Sequence, residues 1–213
     1  MKKLSTIIVL LGLLSIGAWY MTKKPRNLVN TDLKTYRNSN MGISFIYPKI
    51  LTASTTKDLV TLHHEVGPFP HHDFCDFKGD SNTIIQTLTD FQVDFHVSDK
   101  NIVDTMKSES PYIPQESFVN NTVIVSPGFI DEYTAGDKRG YKIFEGAEGC
   151  GHTTYYLSIS SKKTIVVRED LITVFTGSID ASSQKAAEAI PNVINKQKET
   201  EILTSVLQSL SVQ

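Results

Sequence analysis

The chain has 213 residues, 40% of them hydrophobic and 21% charged, enough for the core of one globular domain and without the composition of extended disorder. Its formal net charge is -2, and basic residues are scattered rather than gathered in one segment. That balance excludes a general electrostatic drive toward nucleic acid, so no nucleic-acid partner is expected.

At the N-terminus, Lys2 and Lys3 precede Leu4 to Met21, LSTIIVLLGLLSIGAWYM, a run without a charge. As a helix at ~1.5 Å per residue this run reaches about 27 Å, enough for a hydrocarbon core. Residues 1–22 are therefore expected to be a signal peptide or an uncleaved signal-anchor helix. The rest is expected outside the cytoplasm, secreted or held at the membrane through this segment; lysines flank both ends of the run, and an anchor with the domain in the cytoplasm is the other reading. Residues 23–36 are polar, contain Pro25 and lack a sustained period, the pattern of a tether. One globular domain is expected over 37–213.

Within that domain, Ile43, Phe45 and Tyr47 alternate until Pro48 and predict a first strand. DLVTLHHEV predicts a second, with Leu59, Thr61 and His63 on one side and Val60, Leu62 and His64 on the other. TDFQVDFHVSD is the cleanest alternation: Phe91, Val93, Phe95 and Val97 face inward, Gln92, Asp94 and His96 outward. KNIVDTMKSES reads as a short helix, with Ile102, Val103 and Met106 at helical spacing and Asp99 as N-cap. ESFVNNTVIVS reads as a strand, PGFIDEYTAGDKRG as a turn-rich loop.

Three closely spaced strands follow, YKIFEGAEG, TTYYLSIS and KTIVVRED, the last two joined as a hairpin across Ser160–Lys162. LITVFTGS extends the last strand or adds one more, and residues 181–189 form a helical turn or two before Pro191. The chain ends in a helix N-capped by Asn195, with Ile202, Leu203, Val206, Leu207 and Leu210 on one apolar stripe. Such a stripe needs a sheet face to lie on. The sum predicts an α+β fold, an antiparallel β-sheet flanked by helices.

The residues that could carry chemistry concentrate in HHEVGPFPHHDFCDF, residues 63–77, which holds four of the six histidines. Adjacent strand residues point to opposite faces, so His63 and His64 cannot share an ion while their strand is regular. A wide hairpin through Gly67–Pro70 could set one histidine of each pair across a gap, with Asp73, Cys75 or Asp76 completing the ligands. His63, His64, His71, His72 and His152 are thus candidate ligands for zinc, copper or nickel, although the spacing matches no zinc signature. A solvated polar loop and a pH-responsive patch are the other readings. No other cofactor is expected.

Cys75 and Cys150 are the only cysteines, and an even count in an exported chain reads as one disulfide. A metal-binding thiolate pair and two free thiols are the rivals. No spacing selects a catalytic triad, a nucleophile elbow or a phosphate loop, so no catalytic residue is assigned and no enzyme is expected. Phe129, Tyr133 and Tyr141 stand among charges in the turn-rich segment, as a recognition loop for an envelope protein or as an ordinary connection.

The stretch Y-x-N-x-x-M-G-I-S-F-I-Y-P at Tyr36–Pro48, together with the terminal ILTSVLQSLSV, resembles a family of small exported bacterial proteins. The fold of that family is similar to PsbP, the extrinsic photosystem protein. The resemblance implies an antiparallel sheet flanked by helices and an address outside the cytoplasm. It implies no catalytic residue. Leu210 and Val212 stand where the family has aromatic residues at its end.

Overall fold

The computed structural model describes residues 32–75 and 83–212. The hydrophobic helix expected over 1–22, most of the tether, and Asp76 lie outside the described residues.

The compact unit begins at Leu33. Strands β1 (Leu33–Asn38) and β2 (Ile43–Pro48) form an antiparallel hairpin that sets Tyr36 opposite Phe45. Its turn is held by Asn38, whose side-chain oxygen accepts from the backbone N–H of Asn40 and Met41 at 3.0 and 3.1 Å. Gly42 completes it at φ 67°, the left-handed region that glycine occupies without strain. β3 (Thr52–Thr56), β4 (Leu59–Val66) and β5 (Leu88–Ser98) come next, then α1 (Ile102–Glu109). A small hairpin, β6 (Phe118–Val119) and β7 (Thr122–Val123), leads to β8 (Ile130–Ala135) and β9 (Lys138–Ala147). β10 (Cys150–Ser160) and β11 (Lys163–Asp170) precede α2 (Ala181–Glu188), α3 (Lys196–Ser209) and β12 (Ser211–Val212).

Seven strands form one antiparallel sheet in the order β3-β4-β5-β11-β10-β9-β8, while β1-β2-β12 form a separate three-stranded ladder. The ladder and α3 close one face of the large sheet. Ile43, Phe45, Val60, Leu62, Phe91, Val93, Phe95, Leu157, Ile165, Val167, Leu203, Val206 and Leu207 are buried together there. Phe45 stacks between Tyr36 and Phe95, with ring centroids 4.9 and 4.8 Å away. Burying each of these large apolar side chains stabilises by about 1.5–3 kcal/mol, so this face dominates the energetics. The opposite face carries a smaller cluster, in which Val103 and Met106 of α1 cover Ile130, Ile143, Tyr156 and Val166. A third cluster, Val66, Leu88, Ile172, Val174, Phe175, Ala187 and Val193, packs near the sheet end that carries Cys150.

Cys75 and Cys150 form a disulfide with Cα atoms 5.8 Å apart. It ties the segment after β4 to the first residue of β10. Beside it the strands approach closely: a Cβ on Gly151, at φ 138°, would stand 2.1 Å from the Glu145 carbonyl oxygen. One strand further, a Cβ on Gly140 would stand 1.7 Å from the Tyr156 carbonyl oxygen, so the β9–β10 pairing requires glycine there.

The α+β class is corrected. The chain is mostly β, with three helices of 8, 8 and 14 residues among the described residues. The surplus strands come from segments without apolar alternation. β1 takes residues 33–36 from the expected tether, and its side chains are largely exposed. β3 is an exposed Thr-rich edge strand. The expected turn-rich loop is the β8–β9 hairpin, closed in two residues with Gly136 at φ 62°. ESFVNNTVIVS folds back at Asn120 and Asn121, both at positive φ, and makes two short strands rather than one. LITVFTGS adds no strand but turns once through the buried Thr173–Phe175. The N-cap of α1 is Asn101, whose side chain accepts from the Asp104 N–H at 2.9 Å, not Asp99.

Replacing both Cys75 and Cys150 by serine frees a loop with a sequence separation of 75. Urea unfolding is expected to show a loss of roughly 4.5 kcal/mol relative to the oxidised protein, the chain-entropy value for such a loop.

Candidate functional site

α1 has eight residues and spans about 12 Å, whereas the eleven-residue β5 spans about 36 Å. The helix therefore covers only part of the outer sheet face. The remainder carries polar side chains in rows across the pleat.

In the first row, His63 pairs with Gln92 in register, and the Gln92 amide donates to Asp170 Oδ2 at 2.7 Å. Asp170 lies opposite His152, whose Nε2 stands 2.8 Å from Glu145 Oε2. In the second row, the Thr61 hydroxyl donates to Asp94 Oδ1 at 2.5 Å, and Asp94 lies opposite Arg168. Arg168 in turn lies opposite Thr154, and its Nε is 3.5 Å from Asp170 Oδ1. In the third, His96 pairs with Val166 and places Nε2 at 3.0 and 3.1 Å from the two oxygens of Glu109, the last residue of α1. The Tyr156 hydroxyl shares a 2.8 Å hydrogen bond with Ser110 beside it.

These rows line a cleft of about 260 Å³ that includes Leu59, Asp94, His96, Glu109, Glu145, His152 and Arg168. An ionised carboxylate only accepts, so Nε2 of both His96 and His152 carries the proton and Nδ1 is left for other partners. Burial raises the Asp170 carboxyl above the usual carboxylate range, with the Arg168 guanidinium opposing and Asp94 reinforcing the shift. Burial also pushes the Tyr156 phenol up to about 12, so it stays protonated at neutral pH.

The histidines singled out in the sequence part company. His63 and His64 take opposite faces of β4, as strand geometry requires. His64 is buried, with Nδ1 2.7 Å from Asp90 Oδ1, while Asp90 Oδ2 accepts the Ile194 N–H at 2.6 Å. That relay anchors the entry to α3. His71 stacks on Phe74 at 4.8 Å, and its Nδ1 lies 2.8 Å from the Phe69 carbonyl oxygen. His72 is exposed, beside α2. His152 belongs to the outer cleft. Cys75 is held in the disulfide and offers no thiolate. Among the described residues no group of three or more His, Cys, Asp and Glu side chains is placed to hold a metal ion.

Phe129, Tyr133 and Tyr141 are not gathered on a loop tip either. Tyr133 packs on Tyr155 at 4.7 Å in the large core, while Phe129 and Tyr141 pack on the small one. His96, Asp94, Glu109, Glu145 and Arg168 carry no role in the sequence reading. The signal for two of them lies in β5, where Gln92, Asp94 and His96 alternate outward; Glu109, Glu145 and Arg168 come from α1, β9 and β11.

A second ionisable cluster lies on the inner face. Glu199 in the first turn of α3 is 1% exposed, with Lys196 Nζ 2.9 Å from one carboxylate oxygen but no aligned hydrogen bond on either. Lys196 also approaches Glu169 at 3.5 Å, and the Tyr155 hydroxyl donates to Glu169 at 2.7 Å. Burial raises Glu199 to about 7, against the attraction of Lys196 and with the repulsion of Glu169 adding to it.

No protein-family model matches the chain, and no curated protein matches it. A crystal structure from Bacteroides thetaiotaomicron is similar over 84% of this chain and 48% of that one, at 7% identity and a TM-score of 0.43. The chain therefore spans about half the length of that protein.

Because the folded chain holds the Glu199 proton more tightly than the ordinary value of 4.5 allows, this group's contribution is fully present below about pH 4.5 and is lost as pH rises through 7. Glu199→Gln is expected to shrink the fall in unfolding free energy between about pH 5 and about pH 8 by on the order of 2 kcal/mol, read by urea denaturation.

Proposed function

We propose that the chain is a non-catalytic binding domain that works outside the cytoplasm and takes a small polar ligand in the outer-face cleft. The observation that carries this reading is the cleft itself. Four adjacent strands bring Asp94, Arg168, His152 and Glu145 into one opening of about 260 Å³ that α1 leaves uncovered. Fixed strands hold such groups more firmly than a loop would, which lowers the ordering cost of binding. Support for a binding rather than a catalytic role comes from the imidazoles. Both present Nε2 to a carboxylate, and among the described residues neither is hydrogen-bonded to a serine hydroxyl or a thiol that could serve as nucleophile.

The address rests on two observations. The disulfide is the chemistry of an oxidising compartment, and the charge-free run from Leu4 to Met21 is an export or anchoring signal. An envelope partner or a membrane-held form is consistent with both.

In a thermal-shift screen of the oxidised protein against sugars, diamines and small carboxylates, at least one class is expected to raise Tm. The paired Arg168→Ala and His152→Ala substitutions remove that rise while leaving the ligand-free Tm within a few degrees. A mass of the protein taken from cells without reductant should show the crosslink. Recovery in the cytosol with both thiols reduced contradicts the address, and silence across all three classes contradicts the site.

A further inference from the structure

We infer that the cleft is built for a neutral, hydroxyl-rich ring, a single sugar unit; this deepens the binding-domain reading above and rests on it. The charge pattern argues first. Arg168 stands in the middle row, with Asp94 opposite it on β5, Asp170 beside it, and Glu145 and Glu109 at the margins of the cleft. An anionic ligand would meet the surrounding carboxylates, and a cationic one would meet the guanidinium at the centre. Each carboxylate also has a donor of its own: His96 for Glu109, His152 for Glu145, Thr61 for Asp94 and Gln92 for Asp170. The lone pairs these donors leave free still ring a single guanidinium, so a ligand of either charge meets a like charge across the cleft.

A hydroxyl group avoids that conflict because it donates and accepts at once. One hydroxyl can give its proton to a carboxylate oxygen and accept from the Arg168 fork, and its neighbour on the ring can do the same one position along. The imidazole Nδ1 atoms and the Thr154 hydroxyl add partners of either polarity around the same opening.

Shape argues second. At about 260 Å³ the cleft lies just below the about 300–1,000 Å³ typical of drug-sized ligand sites, which suits one ring rather than a chain. Its wall is not wholly polar. Leu59 is 38% exposed at the rim, and Val166 and Tyr156 line the floor, giving an apolar surface for the C–H face of a ring.

The test is an NMR titration of the oxidised full chain with D-glucose, D-galactose, D-mannose and N-acetylglucosamine, and separately with putrescine and citrate. At least one sugar is expected to shift the His96, His152 and Arg168 resonances with saturable millimolar affinity. Arg168→Ala and Asp94→Asn each weaken that binding tenfold or more, while the dispersed spectrum of the folded protein remains. Sugars that leave these resonances unmoved while putrescine or citrate shifts them overturn this inference and leave the binding site standing. No response to any probe overturns both. Sugar shifts confined to residues away from the cleft also overturn it.

Discussion

The contact of Phe45 with Phe95 across the dry face of the large sheet is the constraint from which the rest follows. Phe45 also stacks on Tyr36, so the ladder, the sheet and α3 meet at one aromatic column. Strand side chains alternate with a period of two, and a slip of one residue would turn every side chain to the other face. In β5 that slip would carry Gln92, Asp94 and His96 inward and expose Phe91, Phe95 and Val93. An unpaired charge in such a core costs several kcal/mol, and the buried apolar area would be lost with it. The register is therefore fixed by the inner face, and the polar rows of the outer face are its geometric consequence.

The two faces treat ionisable groups differently. Outside, His96, His152 and Arg168 are each within 3.5 Å of a carboxylate yet remain partly open to solvent, so their partners can be exchanged for those of a ligand. Inside, Glu199 on α3 is buried against the sheet, and burial raises its carboxyl above the ordinary value despite Lys196 as a counter-charge. His64 and Asp90 form a third arrangement, buried and fully committed to the backbone of Ile194. The histidine-rich stretch thus separates into a buried relay at His64, an aromatic stack at His71, and His63 and His72 on other surfaces, while the cleft takes His96 and His152. The chemistry proposed above lies with the last, where imidazoles, carboxylates and a guanidinium share one opening.

Much of the scaffold was legible where burial leaves an alternating trace. β2, β4, β5, β10 and β11 lie at or near the segments expected, and α3 follows its apolar stripe with Asn195 as N-cap. The disulfide is the pairing favoured by the even cysteine count. Edges were illegible. β1 and β3 are exposed, so nothing selects apolar residues along them, and β8 lay inside a stretch read as turns because Gly136 and Asp137 dominate it. Undercounting edges is what led to a mixed α+β class for a mostly β chain. The cleft was half legible: the outward set of β5 was identified, but its partners Glu145, His152 and Arg168 come from strands whose register no local pattern reveals.

Adjacent histidines on β4 offer the most direct measurement of that register. Carbethoxylation of the folded, oxidised protein, followed residue by residue with tandem mass spectrometry, reports which imidazoles solvent can reach. The account predicts that His63, His96 and His152 react in the native state, whereas His64, 9% exposed and bonded to Asp90, reacts only on unfolding. Modification of His64 at the rate of His63, or silence of His96 and His152 until the protein unfolds, would contradict it.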